Sequence, residues 1–480
     1  MNATALRDLL GGRAAATPGD LAFTADGREL TFGDLADRAD AVARELAAAG
    51  VRAGDRVALA LPAGFDFIVR FWGLQALGAV PCAFAPGVAA ETLARRVERI
   101  RPRMVITADG PSAVRETDPE PGDLAFLQLT SGTSGAPRAA RLSHRSVLAF
   151  FRDTQLDGHI KPDDVMVGWV PPWHDLGLVR FVIGAVGYGV PCHIVEPAIR
   201  TIPDWFETIG RVGGTVSAGP DFAFRLAMRM IKPGAVDLSS LRWMTNGGEP
   251  VRRTTVEGFE RHFGVGHVLV PGYGMAETTL GLATHRPGEP ILTDARGTVS
   301  CGDVQTGLEA RAGHSYEEAG EIIVRGEAVF DGYLDAPEDT ALALRDGWLH
   351  TGDSGYFDDA GRLFVLGRRA GMIKRAGGAI APREIEEAAQ RVPEVRVAAA
   401  TSLPGGPNGD DLVAVVVEAA AEDHEATDAI AAAVSYEVVA ALGFGPARIV
   451  VVAPRSIPIT ANGKVRHSRL REALSRGALG

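Results

Sequence analysis

LQLTSGTSGAPRAARLSHRSV, residues 127–147, joins an apolar run to a loop of small and hydroxylated residues. Six of the nine residues from Thr130 to Arg138 are Gly, Ser or Thr. Backbone N–H groups in such a loop can converge on phosphate oxygens, because glycine permits close approach and hydroxyls add donors. The stretch is not a Walker A loop, since GTSGAPR lacks the Gly-Lys pair of that motif. Taken alone, such a loop is more often an exposed turn, so its role depends on the motifs that accompany it.

The composition is that of a large acidic globular protein. The chain has 480 residues, which suggests two or three domains at roughly 150 residues each. The net charge of −11 argues against a nucleic-acid partner. The sequence contains neither an apolar run long enough to span a membrane nor a secretory signal, and we therefore expect a cytoplasmic protein. Cys82, Cys192 and Cys301 are far apart and are predicted to be buried free thiols.

Strand and helix patterns alternate along the first part of the chain. Residues 33–50 have helical periodicity, and DRVALALP follows as a short apolar strand. This rhythm recurs and predicts a wound α/β architecture. After about residue 295, glycine-punctuated β segments indicate a β-rich subdomain, and from residue 371 strands and helices, one of them over 430–442, indicate an α+β domain. We therefore predict an α/β protein with a large N-terminal domain, residues 1–368, and a small mobile C-terminal domain, residues 369–480.

TSGTSGAPR resembles the phosphate loop of the adenylate-forming superfamily, which includes acyl-CoA synthetases, luciferases, peptide-synthetase adenylation domains and fatty acyl-AMP ligases. Six further segments resemble motifs of that superfamily, in the expected order. They are WVPPWHDLGLV (169–179), NGGEPV (246–251), GYGMAET (272–278), WLHTGDSGY (348–356), GRRAGMIKRAGGAIAPREIE (367–386) and ITANGKVRHSRLRE (459–472). PPWHDLGL, VSAGPDFAFRLAMR and YGMAETTL are most similar to fatty acyl-AMP ligases. The resemblance implies that ATP and a carboxylic acid form an acyl adenylate, which then usually reacts with a thiol.

The resemblance also implies which residues bind ATP and Mg²⁺. Glu277 would bind Mg²⁺, Tyr273 would stack on adenine, and Asp353, supported by Arg368, would accept hydrogen bonds from the ribose hydroxyls. Arg138 stands where the family usually has lysine, and arginine keeps the charge while binding phosphate as a fork. The phosphate-loop residues are Thr130, Ser131, Gly132, Thr133, Ser134 and Gly135. The other residues implied to line the nucleotide site are Asn246, Gly247, Gly248, Glu249, Gly272, Gly274, Met275 and Ala276.

Two catalytic side chains besides Arg138, and an acyl pocket, follow from the same resemblance. Lys464 would lie between the carboxylate and the α-phosphate, where a cation reduces repulsion between the two anions. His174 would orient the acyl carboxylate. The implied acyl-pocket residues are Trp173, Gly219, Asp221 and Phe222. Two roles remain open for Asp221, which stands where relatives often have Asn: contact with a polar group of the substrate, or a capping or solvated residue before the next helix.

Two features depart from the family pattern. Ala370 and Gly371 replace the polar hinge residues of relatives, and they can still rotate. Fatty acyl-AMP ligases typically carry an insertion that hinders acceptance of CoA, and LDAPEDTALALRDGWLHTGD shows no such insertion. KRAGGAI resembles the glycine turn that lines a pantetheine channel in thioester-forming members. The accepting thiol is therefore expected to be the phosphopantetheine of an acyl carrier protein or, alternatively, free CoA.

The leading interpretation is an ATP-dependent ligase that loads a fatty or related acid onto an acyl carrier protein. The alternatives are an acyl-CoA ligase, an amino- or β-amino-acid adenylating enzyme, and a non-catalytic adenylate-binding protein. No clear match exists to the helix on which peptide-synthetase domains place a distinctive Asp. Retention of Lys464, Glu277, Asp353 and the loop argues against a non-catalytic protein. The sequence is compatible with a monomer or a dimer.

Overall fold

The structure, a computed structural model, describes residues 3–114, 119–120, 122–131, 137–375, 378–403, 405, 411–420, 424–459 and 465–479. Two compact units are present. The first consists of Met1–Arg311, Ile323–Thr351 and Phe357–Phe364, and the second of Ala312–Ile322, Gly352–Tyr356 and Val365–Gly480. Helices and large sheets occur together, so the predicted α/β class is confirmed. The predicted domain boundary after residue 368 stays a prediction.

The first unit begins with a sheet of six strands in the order β6-β5-β3-β4-β7-β8. Its inner strands are parallel, and β6 and β8 are antiparallel edges. Every residue of β3 is buried, as expected for a parallel strand covered on both faces. The elements of this part are α1 (Leu6–Ala16), β1 (Leu21–Ala25), β2 (Arg28–Thr31), α2 (Phe32–Ala48), β3 (Arg56–Ala60), α3 (Phe65–Leu77), β4 (Val80–Ala83), α4 (Ala90–Ile100), β5 (Met104–Thr107), β6 (Gly110–Ala113), β7 (Leu124–Ser131), β8 (Pro137–Ser143) and α5 (His144–Leu156).

A second sheet of the first unit is wound from alternating strands and helices. Strands β13, β12, β11, β9, β10 and β1 are neighbours in this order and run parallel. Large aromatic side chains, including Trp205, Phe224 and Phe259, form the core against which they pack. The elements are β9 (Met166–Gly168), α6 (Asp175–Gly177), a π-helical stretch (Leu178–Ile183), α7 (Gly184–Tyr188), β10 (Cys192–Ile194), a 3₁₀ turn (Ile199–Thr201), α8 (Ile202–Val212), β11 (Val216–Gly219), α9 (Asp221–Met230), β12 (Trp243–Asn246), α10 (Arg253–Phe263), β13 (Leu269–Tyr273), a 3₁₀ turn (Ala276–Thr278) and β14 (Ala283–Thr284).

Short antiparallel strands follow, as the glycine-punctuated sequence predicts. Strand β15 pairs with β14 and β20, and β16 pairs with β17. The elements are β15 (Ser300–Val304), β16 (Leu308–Arg311), β17 (Gly320–Gly326), α11 (Pro337–Ala343), β18 (Leu344–Arg345), β19 (Trp348–Phe357) and β20 (Leu363–Arg368).

The last part of the chain, in the second unit, has the predicted α+β character. Strands β23, β24 and β25 form one sheet, and β21 and β22 form a separate hairpin. The elements are a 3₁₀ turn (Arg369–Gly371), β21 (Ile373–Arg375), β22 (Gly378–Ile380), α12 (Pro382–Ala389), β23 (Val397–Leu403), β24 (Leu412–Glu418), α13 (His424–Leu442), β25 (Arg448–Val452) and α14 (His467–Ser475). Helix α13 begins at His424, earlier than the helix predicted over 430–442. The prediction missed its first turns because they are polar and carry no apolar pattern.

Two expectations about cysteines and membranes can be compared with the structure. All three cysteines are free and buried, as predicted. Within the described ranges, every helix is too short or too polar to cross a lipid bilayer.

Candidate active site

Three of the predicted motifs lie at one edge of the second sheet. Strands β11, β12 and β13 are parallel neighbours, and their carboxyl ends lead into AGPD, NGGE and GYGM. The register places Gly219 opposite Asn246, and the N–H of Gly247 donates to the carbonyl oxygen of Gly219 at 3.2 Å. Ligands of open α/β sheets bind in the crevice beyond the carboxyl ends of the strands. The edge therefore gathers most of the predicted nucleotide-site residues, including Gly248, Gly272, Tyr273 and Met275.

Backbone segments approach closely at this edge, so that Gly247 has little room for a side chain and Gly274 has none. A Cβ atom at Gly247 would lie 3.0 Å from the carbonyl oxygen of Gly272. At Gly274 it would lie 1.9 Å from the carbonyl oxygen of Leu280, which no side chain can accommodate. The turn that follows β13 is therefore tightly packed, and it leads directly to Ala276 and Glu277.

Asp221 is neither the cap of α9 nor a solvated residue, because Pro220 is the N-cap, the helix has no side-chain cap hydrogen bond, and Asp221 is 1% exposed. Its carboxylate accepts hydrogen bonds from the Asn246 amide, the Arg252 backbone and the Thr255 hydroxyl. The guanidinium of Arg225 forms an ion pair with it at 3.1 Å. These donors occupy both carboxylate oxygens, so Asp221 links the start of α9 to β12 and α10.

The other predicted acyl-pocket residues are placed by the ends of neighbouring elements. Gly219 ends β11, and a Cβ atom there would lie 2.9 Å from the Trp205 ring. Phe222 is partly buried at the start of α9, and its N–H donates to Glu249 Oε1 at 2.6 Å. Glu249, predicted to line the adenine site, thus also holds the N-terminus of this helix.

The glycine-rich loop connects the two strands of a β-hairpin. Strand β7 pairs with β8 so that Thr130 lies opposite Arg138 and Ser131 opposite Pro137. The predicted phosphate-binding residues Gly132, Thr133, Ser134 and Gly135 lie outside the described residues. Thr130 Oγ1 and Arg138 Nε are both buried and have no hydrogen-bond partner within the described part of the chain. Two unpartnered polar atoms thus flank the loop from opposite strands.

Arg138, Tyr333 and Glu277 form a contiguous set, which we call the arginine–tyrosine–glutamate cluster. The Tyr333 hydroxyl donates to Glu277 Oε1 at 2.6 Å, and the guanidinium carbon of Arg138 lies 4.4 Å from the centre of the Tyr333 ring. Arg138 Nη1 also approaches Asp339 Oδ1 at 3.9 Å. Glu277 is 4% exposed. The cluster connects the loop hairpin to the predicted magnesium ligand.

Backbone pairing and burial fix Tyr333 in this position. The segment around it pairs with β8, with Arg141 N–H donating to Gly332 O and Leu334 N–H to Ala139 O, both at 2.9 Å. Burial, followed by the nearby Glu277 carboxylate, raises the pKa of Tyr333 far above its usual value. The phenol therefore stays protonated and acts as the donor to Glu277.

The turn that carries Trp173 and His174 lies beside the strand leading into the loop. Gln128, on β7, donates through Nε2 to the carbonyl oxygen of Trp173 at 3.0 Å. His174 is the N-cap of α6, and its Nδ1 lies 2.5 Å from Asp175 Oδ1. Gln128 thus attaches the predicted carboxylate-orienting histidine to the hairpin.

The remaining predicted site residues belong to the second unit or lie outside the described residues. In the second unit, Asp353 Oδ1 forms an ion pair with Arg368 Nε at 3.1 Å, and the Asp353 side chain is almost fully buried. Ala370 and Gly371 form part of a 3₁₀ turn. Lys464 lies outside the described residues.

Sequence reasoning missed Tyr333 and Gln128. Neither residue belongs to a motif that stood out, because each acts on a residue far away in the sequence. Tyr333 is 56 positions from Glu277, and Gln128 is 45 positions from Trp173. The one available signal was that Tyr333 follows the segment EIIVRGEAVF in a glycine turn.

The sequence matches the family described as AMP-binding enzyme over residues 11–120 and 108–334. The chain belongs to this family. It is 33% identical over 391 residues to the putative ligase Rv1013 of Mycobacterium tuberculosis, covering 72% of this chain and 71% of that protein. It is 29% identical over 534 aligned positions to the long-chain-fatty-acid–AMP ligase FadD28 of M. tuberculosis, covering 91% and 90%. This AMP-binding enzyme is therefore an ATP-dependent, adenylate-forming ligase.

A solved structure shows the same fold over almost the whole chain. It comes from a study of fatty acyl-adenylate ligases of E. coli and L. pneumophila, with a TM-score of 0.86 and 24% identity, and covers 99% of this chain and 98% of that chain.

The alignment with FadD28 also shows that the present chain is shorter. The alignment has 534 positions, and the 91% of this chain that it covers is about 437 residues. About 100 positions of the alignment therefore have no residue in this chain.

Proposed function

We propose that this AMP-binding enzyme activates a fatty or related carboxylic acid as acyl-AMP and transfers the acyl group to the phosphopantetheine thiol of an acyl carrier protein. The name of FadD28 supports a fatty acid as the substrate. The resemblance of the PPWHDLGL, AGPDFAF and YGMAETTL segments to fatty acyl-AMP ligases supports the same class. The products of the first half-reaction are acyl-AMP and pyrophosphate.

The observation that carries the proposal is the arginine–tyrosine–glutamate cluster at the root of the glycine-rich loop. A cation and a carboxylate there provide what adenylation requires, because the phosphates need charge neutralisation and a metal ion. Arg138 Nε and Thr130 Oγ1 are buried and have no hydrogen-bond partner within the described residues, and a phosphate oxygen bound at the loop would supply the partner that each lacks.

The residues present fit a magnesium ion that binds together with ATP. Tyr333 engages one oxygen of Glu277, and no donor among the described residues bonds the other. The described ranges contain no group of three or more His, Cys, Asp or Glu side chains that could hold a metal. Mg²⁺ commonly binds through one or two carboxylates plus substrate phosphates. Glu277 would hold this ion, which when bound neutralises phosphate charge.

In the proposed adenylation, the substrate carboxylate attacks the α-phosphorus, the bond to the β-phosphate oxygen breaks, and pyrophosphate leaves. Arg138 binds the leaving phosphates, and His174 orients the carboxylate. Lys464 places a positive charge beside the two reacting anions. We also propose that residues 369–480, which include Lys464, form a small mobile domain. Tyr273 binds adenine and Asp353 the ribose.

The segment before Asp353 supports a second candidate function, that of an acyl-CoA ligase. It shows no insertion of the kind that hinders CoA in fatty acyl-AMP ligases, and putative fatty-acid–CoA ligases are also among the similar proteins. Both acceptors end in the same phosphopantetheine thiol. The carrier protein is proposed first because the pocket motifs resemble fatty acyl-AMP ligases.

Pyrophosphate exchange and intact-mass measurements test the proposal. Exchange is measured across a panel of fatty, aromatic, amino and β-amino acids, and the best acid is then offered with holo-carrier protein or with CoA. We expect exchange with fatty or related acids and a mass increase of the carrier by one acyl group. Exchange confined to amino acids would overturn the substrate class. Efficient thioester formation on CoA, with none on carriers, would overturn the acceptor.

Substitution of Lys464 tests the catalytic assignment separately from nucleotide binding. We expect Lys464→Ala to lower acyl-AMP formation by about 100-fold or more while ATP binding persists, because the lysine acts on the reacting anions. Arg469→Ala, which removes a nearby cation with no assigned role, is the control. Near-normal acyl-AMP formation by Lys464→Ala contradicts the assignment.

A further inference from the structure

Tyr333 has an unusual combination of contacts for a buried tyrosine. Its hydroxyl bonds the predicted magnesium ligand at 2.6 Å, and its ring lies under the predicted phosphate-binding guanidinium at 4.4 Å. Any buried tyrosine hydroxyl needs a hydrogen-bond partner, but here the partner is the predicted magnesium ligand, and the ring packs on a second predicted site residue. Both contacts converge on groups that the proposed reaction uses.

We propose that Tyr333 is a positioning residue of the ATP site: its hydroxyl orients the Glu277 carboxylate for Mg²⁺, and its ring supports the guanidinium of Arg138. This inference rests on the proposed function for the identity of the ligand. Tyr333 itself contacts neither substrate nor metal, so its effects pass through the other two members of the cluster.

The hydroxyl contact fixes which oxygen of Glu277 is available to the metal. A carboxylate that receives one hydrogen bond at Oε1 presents Oε2 in a defined direction. Without the hydroxyl, the buried carboxylate loses the donor that orients it. Loss of such a hydrogen bond behind a metal ligand typically lowers metal affinity or activity by about 10–100-fold.

The ring contact explains why arginine stands at position 138 in a family that usually has lysine there. A guanidinium is planar and stacks on an aromatic face while its edge donors stay available, whereas an ammonium is a compact point charge. Arg138 Nη1 faces Asp339 at 3.9 Å, and Nε has no partner within the described residues. The ring and Asp339 together hold the guanidinium in place, and a bound phosphate would supply the acceptor that the buried Nε lacks.

The hydroxyl role is tested with Tyr333→Phe, which keeps the ring and removes one oxygen. We expect about a tenfold increase in the Mg²⁺ concentration needed for half-maximal pyrophosphate exchange, with metal-free ATP affinity unchanged in calorimetry. Tyr436→Phe, at a 71% exposed position, is the matched control. An unchanged Mg²⁺ dependence in Tyr333→Phe overturns this role.

The ring role is tested with a double-mutant cycle between Tyr333→Leu and Arg138→Lys. We expect Arg138→Lys to lower kcat/KM for ATP about tenfold in the parent and less than threefold when residue 333 is leucine, because the stack is already lost. Arg145→Lys, at an exposed ion pair on α5, is the arginine control. Equal losses in both backgrounds overturn this role.

Binding measurements keep this inference separable from the proposed function. If no acid supports pyrophosphate exchange in the parent protein, the proposed function fails. In that case, calorimetric titration with and without Mg²⁺ still compares the ATP affinity of the parent with that of Tyr333→Phe and of the variants in the double-mutant cycle. Equal Mg²⁺-dependent binding in parent and Tyr333→Phe then rejects the positioning role itself. Circular dichroism melting of Tyr333→Leu shows whether that variant is folded, and Tyr333→Phe decides the hydroxyl role in either case.

Discussion

Arg138 and Arg180 each place the guanidinium carbon 4.4 Å from the centre of an aromatic ring, Tyr333 for the first and Trp243 for the second. Arg138 keeps 23% of its side chain exposed, lies at the root of the glycine-rich loop and is joined through Tyr333 to Glu277. Arg180 is 8% exposed, lies on a π-helical stretch and has no acidic partner among the described residues. Stacking alone therefore does not identify a binding arginine. Partial exposure and a carboxylate reached through the same ring distinguish the proposed phosphate-binding residue Arg138 from Arg180.

The same contrast holds between two buried acids of the first unit. Among the residues that the structure describes, one side chain, that of Tyr333, donates a hydrogen bond to Glu277. Asp221 receives hydrogen bonds from Asn246, Arg252 and Thr255, and pairs with Arg225. Both oxygens of Asp221 already accept hydrogen bonds from the protein, so neither is left for a metal. Glu277 retains one oxygen, Oε2, to which no described residue donates.

The largest expected effect concerns Asp221, the acid whose two oxygens are already hydrogen-bonded by the protein. Asp221→Ala should lower the free energy of unfolding by about 3 kcal/mol or more, because it leaves several buried donors without an acceptor. Glu277→Gln should change stability by less than about 1 kcal/mol while reducing acyl-AMP formation at least 100-fold. Denaturant melts and pyrophosphate exchange measure the two quantities. The contrast fails if Glu277→Gln is the more destabilised variant.

The next effect concerns the accessible arginine. Arg138→Met keeps the stem over the Tyr333 ring but removes the charge, and should reduce acyl-AMP formation by about 100-fold, or about 2.7 kcal/mol. Its thermal midpoint should stay within a few degrees of the parent, since the side chain is partly exposed. Steady-state kinetics at several ATP concentrations measure the change. A fully active Arg138→Met would mean that the loop binds phosphate without this cation.

A pH titration provides an intermediate effect, because His144 is a buried base that can lose its charge whereas arginine cannot. Burial, then the charge of Arg7, lowers the pKa of His144 to about 4, and Leu6 N–H donates to its Nδ1 at 3.2 Å. Between the ordinary pKa of about 6.5 and this value, the unfolded state binds more protons. Stability should therefore fall by roughly 1–3 kcal/mol as pH drops from 6.5 to 4, and level off below.

Denaturant melts across this pH range measure the effect, with His144→Gln as the comparison. Glutamine can still accept the Leu6 N–H but does not titrate. Its stability should fall less steeply than that of the parent in the same window. Equal slopes for the two proteins would assign the pH dependence to other groups.

The smallest effect concerns the buried arginine. Burial lowers the pKa of Arg180, and its Nε and Nη1 atoms have no partner within the described residues. Replacing a buried charge that has no ionic partner with an apolar side chain of similar length often stabilises a protein. The free energy of unfolding of Arg180→Met should therefore be about 1 kcal/mol higher than that of Arg180→Lys. Acyl-AMP formation should be unchanged. If Arg180→Met unfolds more easily than both the parent and the lysine variant, the charge has a partner in solution.

Pattern and motif spacing predicted the parts of the molecule that depend on local sequence. Apolar runs alternating with helical periodicity predicted the wound sheets, and the glycines of NGGE and GYGM pointed to the strand ends that the parallel register brings together. The free buried cysteines were also predictable, because their number and spacing are features of the sequence itself.

What the sequence could not predict depends on contacts between distant residues. Asp221 could be a substrate contact or a cap until the positions of Thr255 and Arg225 were known. Glu249 belongs to a nucleotide motif, yet its carboxylate also bonds the start of α9. The reason for arginine at position 138 lies in Tyr333, a residue that no pattern near the loop could indicate.

The turn after β13 has a consequence for how this chain can vary. Because a Cβ atom at Gly274 would lie 1.9 Å from the carbonyl oxygen of Leu280, any replacement must push apart two backbone segments, one of which continues into Glu277. When position 274 is randomised to all amino acids and the library is selected for activity, the surviving variants should all have glycine there. Variation that changes the preferred acid would have to accumulate elsewhere around the strand ends, with this turn as a fixed point.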